Sequence, residues 1–147
     1  MSEYAPLRWP KCYHEASWLR GAFRWLPVIG LDARIWSDLR RQQLSRDARV
    51  CECWPRDMCR SCISNISTIV STTMRWPGPW FLPSDPLGIV LWQRPWDVDA
   101  VDSVLDELDG EFACPDVLMV CDDTWTYGEF IRKILRRHTG VCCRGPL

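Results

Sequence analysis

Four thiols crowd twelve residues of the chain, as Cys51-x-Cys53-x5-Cys59-x2-Cys62. Thiols at this density raise the question of zinc, which takes four Cys in tetrahedral structural sites. Such sites usually come as two close pairs with a longer loop between them, and here little chain is left to wrap a metal. Cys59 and Cys62 also fall on the apolar side of a helical repeat, where Cys behaves as a small hydrophobe. A small zinc-binding module on Cys51, Cys53, Cys59 and Cys62 is therefore an alternative reading, not the leading one. Cys12-Tyr13-His14 offers further ligand types, but no spacing ties it to the four thiols.

Nucleophilic chemistry has less to draw on. His14 and His138 are the two histidines. His138 follows Arg132, Lys133, Arg136 and Arg137 at what reads as a helix end, where a cation complements the helix dipole. Cys142-Cys143 lies in a terminal tail. The paired acids Asp122-Asp123 precede a helix start and serve to solvate that turn. There is no G-x-S-x-G, phosphate loop or H-E-x-x-H. No catalytic residue is assigned, no cofactor is expected, and the chain does not read as an enzyme.

The 147 residues suit one domain, and 47% hydrophobic with 25% charged residues is globular composition. Ten Trp supply large apolar surfaces for a core or an interface. No stretch approaches the roughly 20 apolar residues of a membrane span. The start lacks a charged region followed by an apolar core, and nine Cys is an odd number, so a complete disulfide framework is not expected. The simplest reading is a reduced, cytoplasmic protein.

The net charge of −1 hides a partition. Asp85 to Glu129 carries twelve acids against Arg94 alone, for −11, while the segments before and after it each carry +5. An acidic segment flanked by basic ones can fold onto them or dock a protein with a basic surface. Its acidic face excludes nucleic acid as the partner there.

The elements that position these residues read as helices. Pro6 and Pro10 keep the first dozen residues extended. Glu15 to Leu26 suits a short helix, and Asp32 to Arg49 a second. In that second helix Ile35, Trp36, Leu39 and Leu44 trace an apolar stripe, and Arg34, Arg40, Arg41, Arg46 and Arg49 keep the rest wet. Pro55 suits a first helical turn, and the spacing Met58, Cys59, Cys62, Ile66, Ile69, Val70 and Met74 predicts a helix to about Arg75. Trp76 to Pro86, with four Pro, is an ordered loop or a linker. Gly88 to Trp92 is a short apolar piece. Asp97 is a good N-cap for a helix whose apolar residues are Val98, Val101, Val104, Leu105, Leu108 and Phe112. Asp99, Asp102, Asp106 and Asp109 lie on its other face. Thr126 and Glu129 form a capping box, followed by Tyr127, Phe130, Ile131, Ile134 and Leu135 on one face and Gly140 as a stop.

From about Cys59 to Leu135 this order resembles an acyl carrier protein. The likeness rests on Phe81-Leu82-Pro83-Ser84-Asp85-Pro86-Leu87-Gly88 as the Phe-containing loop and Asp97 to Phe112 as the acidic second helix. Asp109-Gly110-Glu111-Phe112 is similar to that helix's end, Pro115-Asp116 to the Pro-Asp after it, and Thr126-Tyr127-Gly128-Glu129-Phe130-Ile131 to the start of the last helix. The family holds its acyl group on a phosphopantetheine arm attached to a Ser in Asp-Ser-Leu. Here the aligned residue is Val98, which has no hydroxyl. Asp102-Ser103-Val104 reads like the motif but sits deeper in the helix.

The resemblance implies an all-α small helical bundle over residues 51–140. It is preceded by an N-terminal Arg- and Trp-rich helical segment, 1–50, and followed by a tail, 141–147. The function it implies is a non-enzymatic protein-interaction module without a prosthetic group. Its partner-binding residues would be Asp99, Asp102, Asp106 and Asp109, offered to a protein with a basic surface. An acyl or peptidyl carrier modified on Ser103 is the alternative. The arginines of the first half are expected against the acidic helix or on another protein.

Overall fold

A computed structural model describes residues 4–15, 29–92, 94, 97–113 and 124–137. Within them the fold is all-α. The elements are α1 (Lys11–Glu15), α2 (Ile29–Leu44), a 3-10 helix (Ala48–Cys53), α3 (Arg60–Thr73), α4 (Leu87–Val90), α5 (Ala100–Phe112) and α6 (Tyr127–Arg137). No described helix is long and apolar enough to cross a membrane.

The core follows from the apolar spacing of the helices. On α3, Cys62, Ile63, Ile66 and Val70 recur at steps of one to four residues and are buried. On α5, Ala100, Val104, Leu108 and Phe112 recur every fourth residue and are buried. On α6, Tyr127, Phe130, Ile131 and Ile134 recur at steps of one and three residues and are fully enclosed. These faces meet in one apolar cluster that also takes in Leu7, Ile35 and Leu39 from the N-terminal segment. Those N-terminal side chains therefore share a core with the second half.

The two ends of the helices are set by local chemistry. At α6, Thr126 N–H donates to Glu129 Oε2 at 2.7 Å and Glu129 N–H donates back to Thr126 Oγ1 at 3.3 Å. This is the expected capping box. At the end of α3, Arg75 takes φ 57°, in the left-handed region. Trp76 N–H then reaches Ser71 O at 2.8 Å and Arg75 N–H reaches Thr72 O at 3.3 Å. That pair of bonds is a Schellman closure. An Arg where Gly is usual costs about 1 kcal/mol, and the burial of Trp76 immediately after it offsets the strain.

Three expected boundaries move. A helix starts at Lys11, directly after Pro10, where extended chain was expected; the rest of the predicted Glu15–Leu26 helix lies outside the described residues. Helix α2 stops at Leu44 instead of Arg49, because the chain turns there into the 3-10 helix, which Asp47 caps by accepting from Arg49 N–H at 2.9 Å. This turn reverses two expectations: Leu44 is 58% exposed, and Arg46 is buried. Pro55 does not open α3; residues 55–59 form a turn, with Met58 N–H on Pro55 O at 3.2 Å, and the helix begins at Arg60.

The proline-rich loop is ordered from Trp76 through Trp92, and it includes α4. Its aromatic side chains hold it down. Trp76 Nε1–H donates to Val90 O at 3.0 Å, and Trp54 Nε1–H donates to Phe81 O at 3.0 Å. Gly128 is required where this loop crosses α6, since a Cβ there would lie 2.8 Å from Pro83 O.

Candidate functional site

Helix α5 sorts its residues cleanly between two faces. The side opposite its buried row carries Asp99, Asp102, Asp106 and Asp109, all exposed. Their spacing of three and four residues makes one stripe, about 15 Å long at 1.5 Å per residue. Two further acids of the helix are tied down. Thr73 Oγ1–H donates to Glu107 Oε2 at 3.2 Å, and Asn65 Nδ2–H donates to Glu111 Oε1 at 3.2 Å, so both lean onto α3. Among the described residues, none of the four aspartates takes part in an ion pair or a side-chain hydrogen bond.

Stability alone does not account for this stripe. Like charges four residues apart repel by about 0.2–0.5 kcal/mol per pair. The last turn of α5 has Asp109 and Glu111 and no basic residue, where the helix dipole favours cations. Asp99 is the residue that caps the helix in place of Asp97, and it does so without a side-chain hydrogen bond.

Asp97 is instead held by arginines. Arg94 donates to its Oδ2 at 2.8 Å, and Arg75 lies 3.5 Å from the same oxygen. The Arg94 guanidinium sits 4.1 Å over the Trp36 ring and is only 1% exposed. Burial pulls Arg94 below the ordinary guanidinium range; Asp97 opposes that fall and the nearby Arg75 and Arg40 add to it.

The arginines of the first half do not cover the acidic stripe among the described residues. Their main burial is elsewhere. Arg46 donates to both oxygens of Asp85, at 2.7 and 2.8 Å, with side chains 2% and 0% exposed. Arg46 also donates to Trp80 O at 3.1 Å and Ala5 O at 2.8 Å. Asp85 accepts from Leu7 N–H and Leu82 N–H, both at 2.8 Å. This hub joins the N-terminal segment around Ala5 and Leu7, the turn after α2 and the proline-rich loop. Sequence reasoning placed Arg46 on a wet face and missed the pair; an acid set in a loop rich in Trp, Phe and Pro was its signal.

The position aligned with the carrier serine does not suit a phosphopantetheine arm. Val98 lacks a hydroxyl and is 58% exposed, where the sequence pattern had put it on the apolar face. It precedes Asp99, outside the helix. Because α5 starts at Ala100, Ser103 is its fourth residue, nearer the helix start than expected; it is exposed and its N–H donates to Asp99 O at 2.9 Å.

The four thiols are spread between environments: Cys51 is exposed, Cys53 and Cys59 are half-buried and Cys62 is in the core. Among the described residues no three His, Cys, Asp or Glu side chains are grouped to hold a metal ion. His14 stands edge-on to Tyr13, with ring centroids 5.5 Å apart. Pro115, Asp116, Asp122, Asp123, His138, Gly140, Cys142 and Cys143 lie outside the described residues. No family model, curated protein or solved structure matches this chain.

Proposed function

We propose that this protein is a non-enzymatic interaction module, built as an acyl-carrier-like bundle without a prosthetic group, that offers α5 to the basic surface of a protein partner. The observation that carries this reading is the exposed row Asp99, Asp102, Asp106 and Asp109, whose side chains are unpaired among the described residues. It runs to the helix end, where it opposes helix stability. The order of elements supports the carrier likeness: α3, a long loop holding α4, an acidic α5, and α6 opening on its capping box. Val98 at the serine position supports the loss of cargo.

The test starts from proteins captured on the immobilised chain and then titrates each purified partner. The quadruple Asp99→Asn, Asp102→Asn, Asp106→Asn, Asp109→Asn variant should keep its fold and lose at least about tenfold in affinity, and salt should weaken the wild-type complex. A partner bound equally by both proteins would remove the stripe from the interface. The second reading, a carrier modified on Ser103, is supported by the exposure of that serine in the first turn of α5.

A further inference from the structure

A pocket of about 180 Å3 opens at the edge of the core, beside the N-terminal half of α3. One wall is a single stripe of that helix, Arg60, Ile63, Ser64 and Ser67, set by spacing of three and four residues. Val50, Cys51 and Trp54 of the 3-10 helix and its end form a second wall, and Trp80 and Phe81 of the proline-rich loop a third. The lining is mostly apolar. The Trp54 indole N–H is already bonded to Phe81 O, so Trp54 presents only ring surface. Apolar cavities of about 150 Å3 accept a benzene-sized molecule, which sets the scale of an occupant here.

The polar groups of the lining share one character. Arg60 is its single charged residue, and no acid accompanies it. Arg60 is held in place by donating to Cys51 O and, at 2.9 Å, to Trp54 O. A guanidinium has five N–H groups, so these two bonds leave it donors for a ligand. Fixed in advance, it loses little freedom on binding. Ser67, 3% exposed, accepts from Tyr127 O–H at 3.1 Å and has its own proton left to donate. The Arg60 position is also unusual for stability: it puts a cation in the first turn of α3, which has no acid and no side-chain cap.

We propose that this pocket binds a small aromatic or short-chain carboxylate, with its apolar body between Trp54, Ile63 and Phe81 and its carboxylate on Arg60. The site is independent of the acidic stripe on α5. The probe is benzoate, titrated into the full isotope-labelled chain, with benzyl alcohol as a neutral match in shape. The readout is the Trp54 indole N–H signal. A ligand of about nine non-hydrogen atoms should bind with a dissociation constant on the order of 1 mM. Benzyl alcohol should bind roughly tenfold more weakly, because it lacks the charge-assisted bonds.

Arg60→Gln should abolish that preference. Ser64→Trp, made at an exposed rim position, should fill the pocket and abolish binding of both compounds; it carries the test if Arg60→Gln disturbs the 3-10 helix. No saturable shift with benzoate overturns the proposal. Equal binding of benzyl alcohol overturns the assignment of an anion, and binding that survives Ser64→Trp places the ligand elsewhere.

Discussion

Asp85 and the aspartates of α5 are the same residue type put to opposite uses. Asp85 is fully enclosed, and its two oxygens accept four hydrogen bonds, two of them from Arg46. The four α5 aspartates are exposed and, among the described residues, hold nothing. An enclosed carboxylate is tolerable only when paired and fully bonded. An exposed one costs little by itself, so its placement is free to follow a partner's needs. The contrast separates charge that builds the molecule from charge that it presents.

Breaking the inner set should have the largest effect. Asp85→Ala leaves Arg46 buried without its counter-charge and should cost about 3–5 kcal/mol in urea unfolding. Arg46→Met combined with Asp85→Leu should recover much of that loss, since a well-packed apolar pair removes the stranded charge. A single-variant cost below about 1 kcal/mol would place the pair among weak surface bridges.

Tyr127 sharpens the same side of the comparison. Burial raises its phenol above the ordinary 10.0, the Ser67 bond acts in the opposite direction, and the nearby Asp85 charge adds to the rise. A raised folded value means that the stability contributed by the neutral phenol is complete below pH 10 and is lost as pH rises beyond it, because the unfolded tyrosine ionises first. Tyr127→Phe should therefore flatten the alkaline limb of a stability-against-pH curve. At neutral pH it should cost about 1 kcal/mol for the lost hydrogen bond. An alkaline limb unchanged in the variant would assign it to other groups.

The outer set should respond least, and with the other sign. Asp109→Lys places a cation in the last turn of α5 and should stabilise the protein by about 0.3–1 kcal/mol in thermal or urea melts. A destabilised variant would mean that Asp109 has a structural role.

What could be read from the sequence was what neighbouring residues decide. The Thr126–Glu129 box lies within one turn, and the fourfold repeat of Val104, Leu108 and Phe112 fixes which face of α5 goes inward. Both survive in the structure because no distant group competes for them. Asp97 failed as an N-cap for the opposite reason: Arg94 and Arg75 claim its carboxylate. Arg46 was misread because its partner lies 39 residues further along. The stripe on α5 was legible by helical spacing. The pocket at Arg60 was not, since three separate segments build it and none has a motif of its own.

The central claim, a carrier-like bundle that holds no prosthetic group, is tested most directly by intact mass. The full chain is incubated with coenzyme A and a broad phosphopantetheinyl transferase, beside a control carrier that the enzyme modifies. The account predicts an unchanged mass, with the control fully shifted. A gain of one phosphopantetheine arm, mapped to Ser103, would contradict it and make the protein a working carrier.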